Sequence, residues 1–433
     1  MTKVLRFYNA LLRLFFALSL PWFAVQVARR EKYRAGIRQR LGRYPSPLRD
    51  ALRGRRRVWI HAVSVGEVLA ALPLVKALAE ALPGHRVVLS TVTLTGQRVA
   101  REKAGGWATA FYFPLDLPSA VRRAFDLVSP DFVAIVETEL WPNFIAEAAR
   151  RGVPLAVVNG RISDRSFRGY RRARFLLRRI LPSIRRFSMQ TVLDAERIVA
   201  LGAPAERVAV GGNMKFDCGL LPAGEEETRG ARLALGLEAD APVIVAGSTH
   251  RGEEEAVLDA WDAARRESPE TALVIVPRHP ERGEEVQALC ERRGAACVLR
   301  SRHPAGARVP AGAVLVADTI GELTAIYRAA TLVFVGKSLV GGGGQNIIEP
   351  ASLGKAVLFG PSMQNFREAA ELLLRARGAV QVADARGLAE SVVALLADAP
   401  LREELGRRAA EAMAGSRGAT RRNLELLRGL VPD

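Results

Sequence analysis

The stretch VFVGKSLVGGGGQNIIEPASLGK, Val333 to Lys355, sets four consecutive glycines between a β-branched run and a helix-like pattern. Bare backbone lets a ligand approach closely, and a helix opening near Gln345 offers unpaired N–H groups and a partial positive charge to an anion. Gly343 and Gly344, nearest that helix start, are the candidate contacts. Glu349, one turn beyond Gln345, is placed to accept both hydroxyls of a ribose whose phosphate lies at the helix start. A P-loop would continue with Lys and then Ser or Thr, and a dinucleotide fingerprint would follow the first strand of its unit, so neither motif applies. The plain alternative is a glycine-rich turn that only joins strand to helix.

Two further segments suit an anion. In VPRHPER, Arg278 ends a β-branched run between Pro277 and Pro280, and its planar fork matches a phosphate or carboxylate. His279 beside it reads equally well as a structural histidine. In AGSTHRGEEE, Gly247 and Ser248 end a strand before a helix that opens with Glu253, which reads as another possible phosphate seat.

A different chemistry is suggested by HAVSVGEVLAALPLVKAL, where Glu67 falls in the first turn of an amphipathic helix. The helix dipole favours a carboxylate there, so a simple helix-start acid is one reading. At the carboxyl end of a strand the same carboxylate is a candidate general base. VETELWPN supplies two more acids, Glu137 and Glu139, at another strand end.

These residues need elements to hold them. From Arg57 onward the runs VWIHAVS, RVVLSTVT, AFYFPLD, DFVAIVE, PLAVVNG, SMQTVL and RVAVGGN read as strands, the earlier ones each followed by apolar residues at helical spacing. The rhythm breaks at CGLLPAGEEETRG and restarts with PVIVAGS, ALVIVPR, ACVLRS, AVLVAD, TLVFVG, KAVLFG and AVQVAD. The pattern predicts an α/β chain with two doubly wound parallel sheets facing a cleft at their strand ends. We divide it into an anchoring segment 1–45, a first domain 46–217, a linker 218–230, a second domain 231–400, and C-terminal helices 401–433 that could cross back.

The formal charge of +18 is concentrated in two segments. Residues 1–57 carry 15 basic and 2 acidic side chains, and residues 161–186 carry 10 arginines against Asp164 alone. Between Leu14 and Ala28 runs an apolar stretch of about 15 residues, short of the roughly 20 that span a bilayer. Arg29, Arg30, Glu31 and Lys32 follow it directly where a signal peptide would have a small-residue cleavage site. An interfacial anchor or a marginal span is predicted, with a helix packed on the protein's own body as the alternative. Arg161, Arg165, Arg168, Arg171, Arg172, Arg178 and Arg179 form a second basic surface suited to a phosphorylated lipid or anionic head groups. Nucleic acid is a poor partner for this charge, since few aromatics interleave with it and no RNA or DNA module is present. The three cysteines have neither the pairing of a secreted disulfide framework nor zinc-site spacing.

Taken together, HAVSVGE, ETELWPN, VNGRISDRSF, GNMKFD, AGSTHRGEE, PRHPER and GGGGQNIIEPASLGK resemble the 3-deoxy-D-manno-octulosonic acid (Kdo) transferases. The resemblance implies a GT-B fold, CMP-Kdo as donor, a lipid A precursor as acceptor, and inverting transfer with no metal or other cofactor. It also implies a place on the cytoplasmic face of the inner membrane. By the same resemblance Glu67 is the general base and Glu139 a second acid. Ser248, Arg278, Asn213, Lys215, the glycine loop with Asn346, and Glu349 line the nucleotide site. Similar proteins read GGSL, a proline, then GGHNPLEP, whereas here Lys337, Gly341, Gln345 and Ile347 replace a glycine, a proline, a histidine and a proline. Another nucleotide sugar, such as a UDP-sugar handled by a related transferase or epimerase, is the competing expectation.

Overall fold

The computed structural model describes residues 2–29, 34, 36–217, 219–304 and 307–431. Arg30, Glu31 and Lys32, which follow the apolar run, and Cys218 lie outside the described residues. The chain forms two compact units, residues 1–218 with 417–433, and residues 219–416.

In the first unit the strands are β1 (Arg56–His61), β2 (His85–Thr91), β3 (Ala108–Tyr112), β4 (Phe132–Val136), β5 (Leu155–Gly160), β6 (Arg186–Met189) and β7 (Val208–Val210). They pair in the order β3-β2-β1-β4-β5-β6-β7, all parallel. Strands buried on both faces must be apolar at successive positions rather than alternate ones, which is why the runs read as continuous. Trp59, Val133, Ile135, Val157 and Phe187 pack one face, while Val58, Ile60, Phe132, Ala134 and Val158 pack the other. Trp59 anchors the first layer, edge-on to Phe144 with ring centroids 4.9 Å apart, its indole N–H donating to Ser90 Oγ at 2.8 Å.

The second unit repeats the plan with β8 (Val243–Thr249), β9 (Ala272–Pro277), β10 (Cys297–Leu299), β11 (Val314–Val316), β12 (Leu332–Val335), β13 (Ala356–Phe359) and β14 (Ala379–Gln381). Their order is β10-β11-β9-β8-β12-β13-β14, again parallel. Chain order therefore reverses beside β1 in one sheet and beside β8 in the other. At such a switch point the connections on either side lead to opposite faces and leave a crevice outside the carboxyl ends of the strands.

Two connections are now defined residue by residue. The stretch read as a linker, 218–230, includes the start of a helix, Glu225–Ala234. Three glutamates in its first turn favour that helix through the dipole, outweighing the glycines around it. At the other end of the chain, the helix Ala399–Gly415 stays with the second unit, and the helix Ala419–Arg428 packs in the first against Val65–Ala81.

The N-terminal segment is one helix, Thr2–Arg29. Among the described residues no helix is long and apolar enough to cross a membrane. The apolar run is too short, and Arg6 and Arg13 interrupt the helix before it. Part of this helix docks on the protein: Val4 and Tyr8 pack on the first core, Tyr8 Oη donates to Asp116 Oδ2 at 3.0 Å, and Asn9 exchanges hydrogen bonds with Asn143. Phe7, Leu11, Leu14, Phe15 and Leu18 are exposed at helical spacing along it.

Asp217 ties the C-terminal helix to the first unit, accepting from the N–H groups of Gly418 at 2.7 Å and Thr420 at 2.5 Å as a helix cap would. Asp217→Ala is expected to lower the stability of the first unit by about 1–2 kcal/mol in urea unfolding. An unchanged midpoint would show that the cap is replaced by water.

Candidate active site

In the first unit the chain leaves β1 through Ala62 and Val63 and enters the helix Val65–Ala81, which buries Val68, Ala71, Leu74, Val75 and Leu78 on the sheet. That packing turns Glu67 inward, and the residue is only 9% exposed. Val63 N–H donates to Glu67 Oε2 at 2.7 Å and Ser64 Oγ donates to Oε1 at 3.0 Å. These bonds favour the anion, but burial and then the charge of Glu137 outweigh them and push the Glu67 pKa up to about 7.

Glu137 follows β4, the neighbour of β1, with a positive φ of 60°. Its Oε1 lies 3.3 Å from Lys215 Nζ. Glu139 is raised as well, by burial and then by Glu137. Three carboxyl groups and one ammonium thus converge at the switch point of the first sheet. Asn213 lies next to Lys215, its Oδ1 accepting the Lys215 N–H at 3.0 Å. The structure therefore groups Asn213 and Lys215 with the acids of the first unit, while Ser248, Arg278 and the glycine loop belong to the second.

In the second unit, Glu253 organises the switch point. Its side chain is fully buried and accepts four backbone N–H groups, from His250 (2.9 Å), Lys337 (2.6 Å), Ser338 (2.9 Å) and Leu339 (2.9 Å). Glu253 was expected to open a phosphate seat. It instead occupies that helix start itself and clasps the loop after β12. Glu254, also buried, is held by Arg282 at 2.7 Å. Gly336 makes the clasp possible, since a Cβ there would lie 2.6 Å from Ser248 O and from Thr249 Cα.

The four glycines have a conformational cause: Gly341, Gly342, Gly343 and Gly344 have φ of 91°, 108°, 96° and 74°, a run that side chains would not tolerate. Two of their N–H groups are not available to a ligand. Gly343 donates to Ser362 Oγ at 3.0 Å and Gly344 to Lys337 O at 2.8 Å. A Cβ at Gly343 would meet Asn365 and one at Gly344 would meet Met363, so these residues serve close packing. Among the described residues no hydrogen bond takes the N–H of Gly341, Gly342, Gln345 or Asn346. The helix expected near Gln345 begins at Ile348 and ends at Ser352, too short for a sizeable dipole. Asn346 caps it, accepting from Ile348 N–H at 3.0 Å and donating to Glu349 Oε1 at 2.8 Å; Thr324 Oγ1 donates to Glu349 Oε2 at 3.0 Å.

Ser248, next to last in β8, has φ 58°, and Arg278 follows β9, exposed and with no ion pair among the described residues. Gln345 Nε2 lies 3.4 Å from His250 Nε2. Lys337, after β12, also has φ 58°. The left-handed conformation costs an ordinary side chain about 1–2 kcal/mol. Sequence patterns did not single out Glu253 as a clasp or Ser362 as an acceptor, because both act on backbone far away in the chain.

Residues 35–218 match the sequence model of the family described as 3-deoxy-D-manno-octulosonic-acid transferase (kdotransferase). The chain is 33% identical over 424 residues to the 3-deoxy-D-manno-octulosonic acid transferase of Haemophilus influenzae, covering 98% of this chain and 97% of that protein. It is 36% identical to the protein of the same name from Bordetella pertussis, covering 86% of each. The chain belongs to the 3-deoxy-D-manno-octulosonic acid transferase family. It is a glycosyltransferase. In fold the transferase is similar to a UDP-GlcNAc 2-epimerase from Neisseria meningitidis, with TM-score 0.60 and 14% identity over 86% of this chain and 100% of that one. It is similar also to MurG from Acinetobacter baumannii, with TM-score 0.53 and 15% identity over 87% and 100%. These likenesses concern the two-sheet fold of GT-B type alone.

The basic segment of the transferase is two helices, Asp164–Arg172 and Arg174–Ile180, joined at Ala173. Arg165, Arg168, Arg171 and Arg172 are exposed, and the single acid, Asp164, is paired with Arg197. Arg161 is half-buried, its backbone bonded to Thr138 Oγ1.

Replacing Glu253 by Gln would turn an amide N–H₂ toward backbone donors. Glu253→Gln is expected to destabilise the second unit by about 3 kcal/mol or more. Chemical denaturation monitored separately for the two units checks this, and an unchanged second transition would contradict the clasp.

Proposed function

We propose that this transferase moves Kdo from CMP-Kdo to a hydroxyl of a lipid A precursor in lipopolysaccharide assembly, inverting the anomeric centre in a single displacement. The observation that carries the reading is Glu67: a buried carboxyl at the carboxyl end of β1, held by Val63 and Ser64, its pKa pushed up to about 7 by burial. A base of that pKa is half-ionised near neutrality, where it both accepts a proton and later releases it. Glu67 takes the acceptor proton as the hydroxyl attacks. Glu137, paired with Lys215, and Glu139 keep the surroundings negative and so sustain the basicity of Glu67.

The donor nucleotide belongs to the second unit. Glu349, set by Asn346 and Thr324, accepts the ribose hydroxyls. Arg278, Ser248 and the N–H groups of Gly341, Gly342, Gln345 and Asn346 receive the phosphate, whose charge grows as the glycosidic bond breaks. Preorganised donors of this kind stabilise the leaving group with no metal required in the step.

The reaction is proposed to take place at the cytoplasmic face of the inner membrane. The exposed stripe Phe7, Leu11, Leu14, Phe15 and Leu18 suits the acyl boundary, and Arg165, Arg168, Arg171 and Arg172 suit anionic head groups or acceptor phosphates.

Transfer from CMP-Kdo to tetraacylated lipid A precursor, followed by mass spectrometry, tests the activity. Glu67→Gln is expected to lower kcat by about 10²-fold or more with CMP binding retained. In the wild type the rate should rise with pH through about 7, and that limb should vanish in the variant. The sign for stability is opposite. A carboxyl raised in the fold contributes stability at low pH that is lost as pH rises through about 7, so Glu67→Gln should gain in Tm over the wild type above pH 7. Near-normal turnover in the variant would remove Glu67 from the role, and protection by UDP in place of CMP would move the donor to another nucleotide class. Separately, Leu11→Glu with Phe15→Glu is expected to reduce partition onto anionic vesicles about tenfold or more in flotation assays. Unchanged partition would mean that this helix does not meet the bilayer.

A further inference from the structure

We infer that Lys337 recognises the carboxylate of the acidic donor sugar, an inference that rests on the donor reading above. A cavity of about 330 Å³ at the end of β8 and β12 is lined by His250, Arg251, Arg282, Lys337, Val340 and Gly341. Its cations are not equivalent. Arg251 forms a two-bond pair with Glu285, at 2.8 and 2.6 Å, and Arg282 bridges Glu254 and Glu285 at 2.7 and 3.0 Å. Lys337 has no ion pair among the described residues, and its side-chain carbons lie against Gly342.

The backbone makes the lysine notable. At φ 58° a glycine would be unstrained, whereas the long side chain of Lys337 is carried in the left-handed region. Its peptide N–H is bound by Glu253 and its carbonyl by Gly344 N–H, contacts that any residue would supply. What lysine adds is a charge in the cavity. Strain of this kind persists where the surroundings over-determine it, and it gathers at ligand clamps.

An octulosonic acid nucleotide carries two anionic groups on neighbouring atoms, since the carbon bonded to the phosphate oxygen also bears the carboxylate. Two cationic positions side by side match that pair of charges. The strands flanking β8 provide them: Arg278 follows β9 and Lys337 follows β12. With the phosphate assigned to Arg278 and the loop N–H groups, the carboxylate falls to Lys337. A single charge-assisted hydrogen bond of this type distinguishes the acidic sugar from neutral ones. His250, held below the usual histidine range by burial, leaves the cavity's free charge to the lysine near neutral pH.

The test uses the full-length enzyme and the variants Lys337→Gly, Lys337→Met and Lys337→Arg, measuring the KM for CMP-Kdo, the Kd for CMP and the Tm. Lys337→Gly and Lys337→Met are expected to raise the KM for CMP-Kdo by about 10- to 100-fold while CMP, which lacks the carboxylate, binds as before. Lys337→Arg should recover most of the loss. Lys337→Gly should also raise the Tm by a few degrees, as the strained position is relieved, so reduced affinity cannot be ascribed to a damaged fold. A KM for CMP-Kdo unchanged in Lys337→Gly overturns the assignment, as does an equal loss of CMP affinity, which would place the ammonium on the phosphate. A wild-type enzyme that does not use CMP-Kdo at all overturns the donor reading and this inference with it.

Discussion

A single buried carboxylate holds the second unit's strand-end loops in place. Glu253 sits on the connection after β8 and takes the N–H groups of Lys337, Ser338 and Leu339 on the connection after β12, together with that of His250. An unpaired charge in a fully buried position would be strongly unfavourable, so the four donors and the anion require one another. The arrangement fixes where the chain leaves β12. It thereby sets the conformation of the glycine run, the position of Asn346 and Glu349, and the approach of Lys337 to His250. Gly336 has to be bare because the clasp draws two strand ends to within contact of each other.

The first unit solves a related problem with a different balance. Glu67 is also buried beside a strand end and also accepts from a backbone N–H, but it has one such donor and a serine hydroxyl, and it faces other acids. Four peptide donors make Glu253 a structural group. Two donors and like-charged neighbours leave Glu67 easily protonated, which is the property a base needs at neutral pH. Local strain follows the same division of labour. Glu137, Ser248 and Lys337 are non-glycine residues at positive φ, and each lies at the carboxyl end of a strand beside a switch point. Backbone strain at such sites is tolerated because the sheets beneath them are packed on both faces.

Much of this was legible from residue types. Strands buried on both faces leave β-branched runs that are hard to mistake, and the runs from VWIHAVS to AVQVAD coincide with β1 to β14. Glu67, Glu137, Ser248, Arg278 and Glu349 were recognisable because each follows a strand or opens a helix. The glycine run was legible as an unusual backbone, but not in its use. Gly343 and Gly344 give their N–H groups to Ser362 and Lys337, and a hydrogen bond between residues 19 positions apart, as between Gly343 and Ser362, leaves no periodic trace. The apolar N-terminal run was visible, whereas its docking through Tyr8, Asn9 and Asp116 depends on partners more than 100 residues away.

The sequence by itself determined the alternation of strand and helix, the two-sheet class, the family motifs and the placing of charge in two segments, because each is a property of neighbouring residues. Tertiary structure alone decided which strands adjoin, and so which of the strand-end residues share a switch point. It decided that Glu253 is a clasp while Glu67 is poised to titrate, since burial and the number of peptide donors are set by residues distant in the chain. It decided also that Lys337 carries its charge on a left-handed backbone into a cavity. Sequence can name a lysine, but only the packed sheet, through the path it imposes on the loop, says where that lysine must reach.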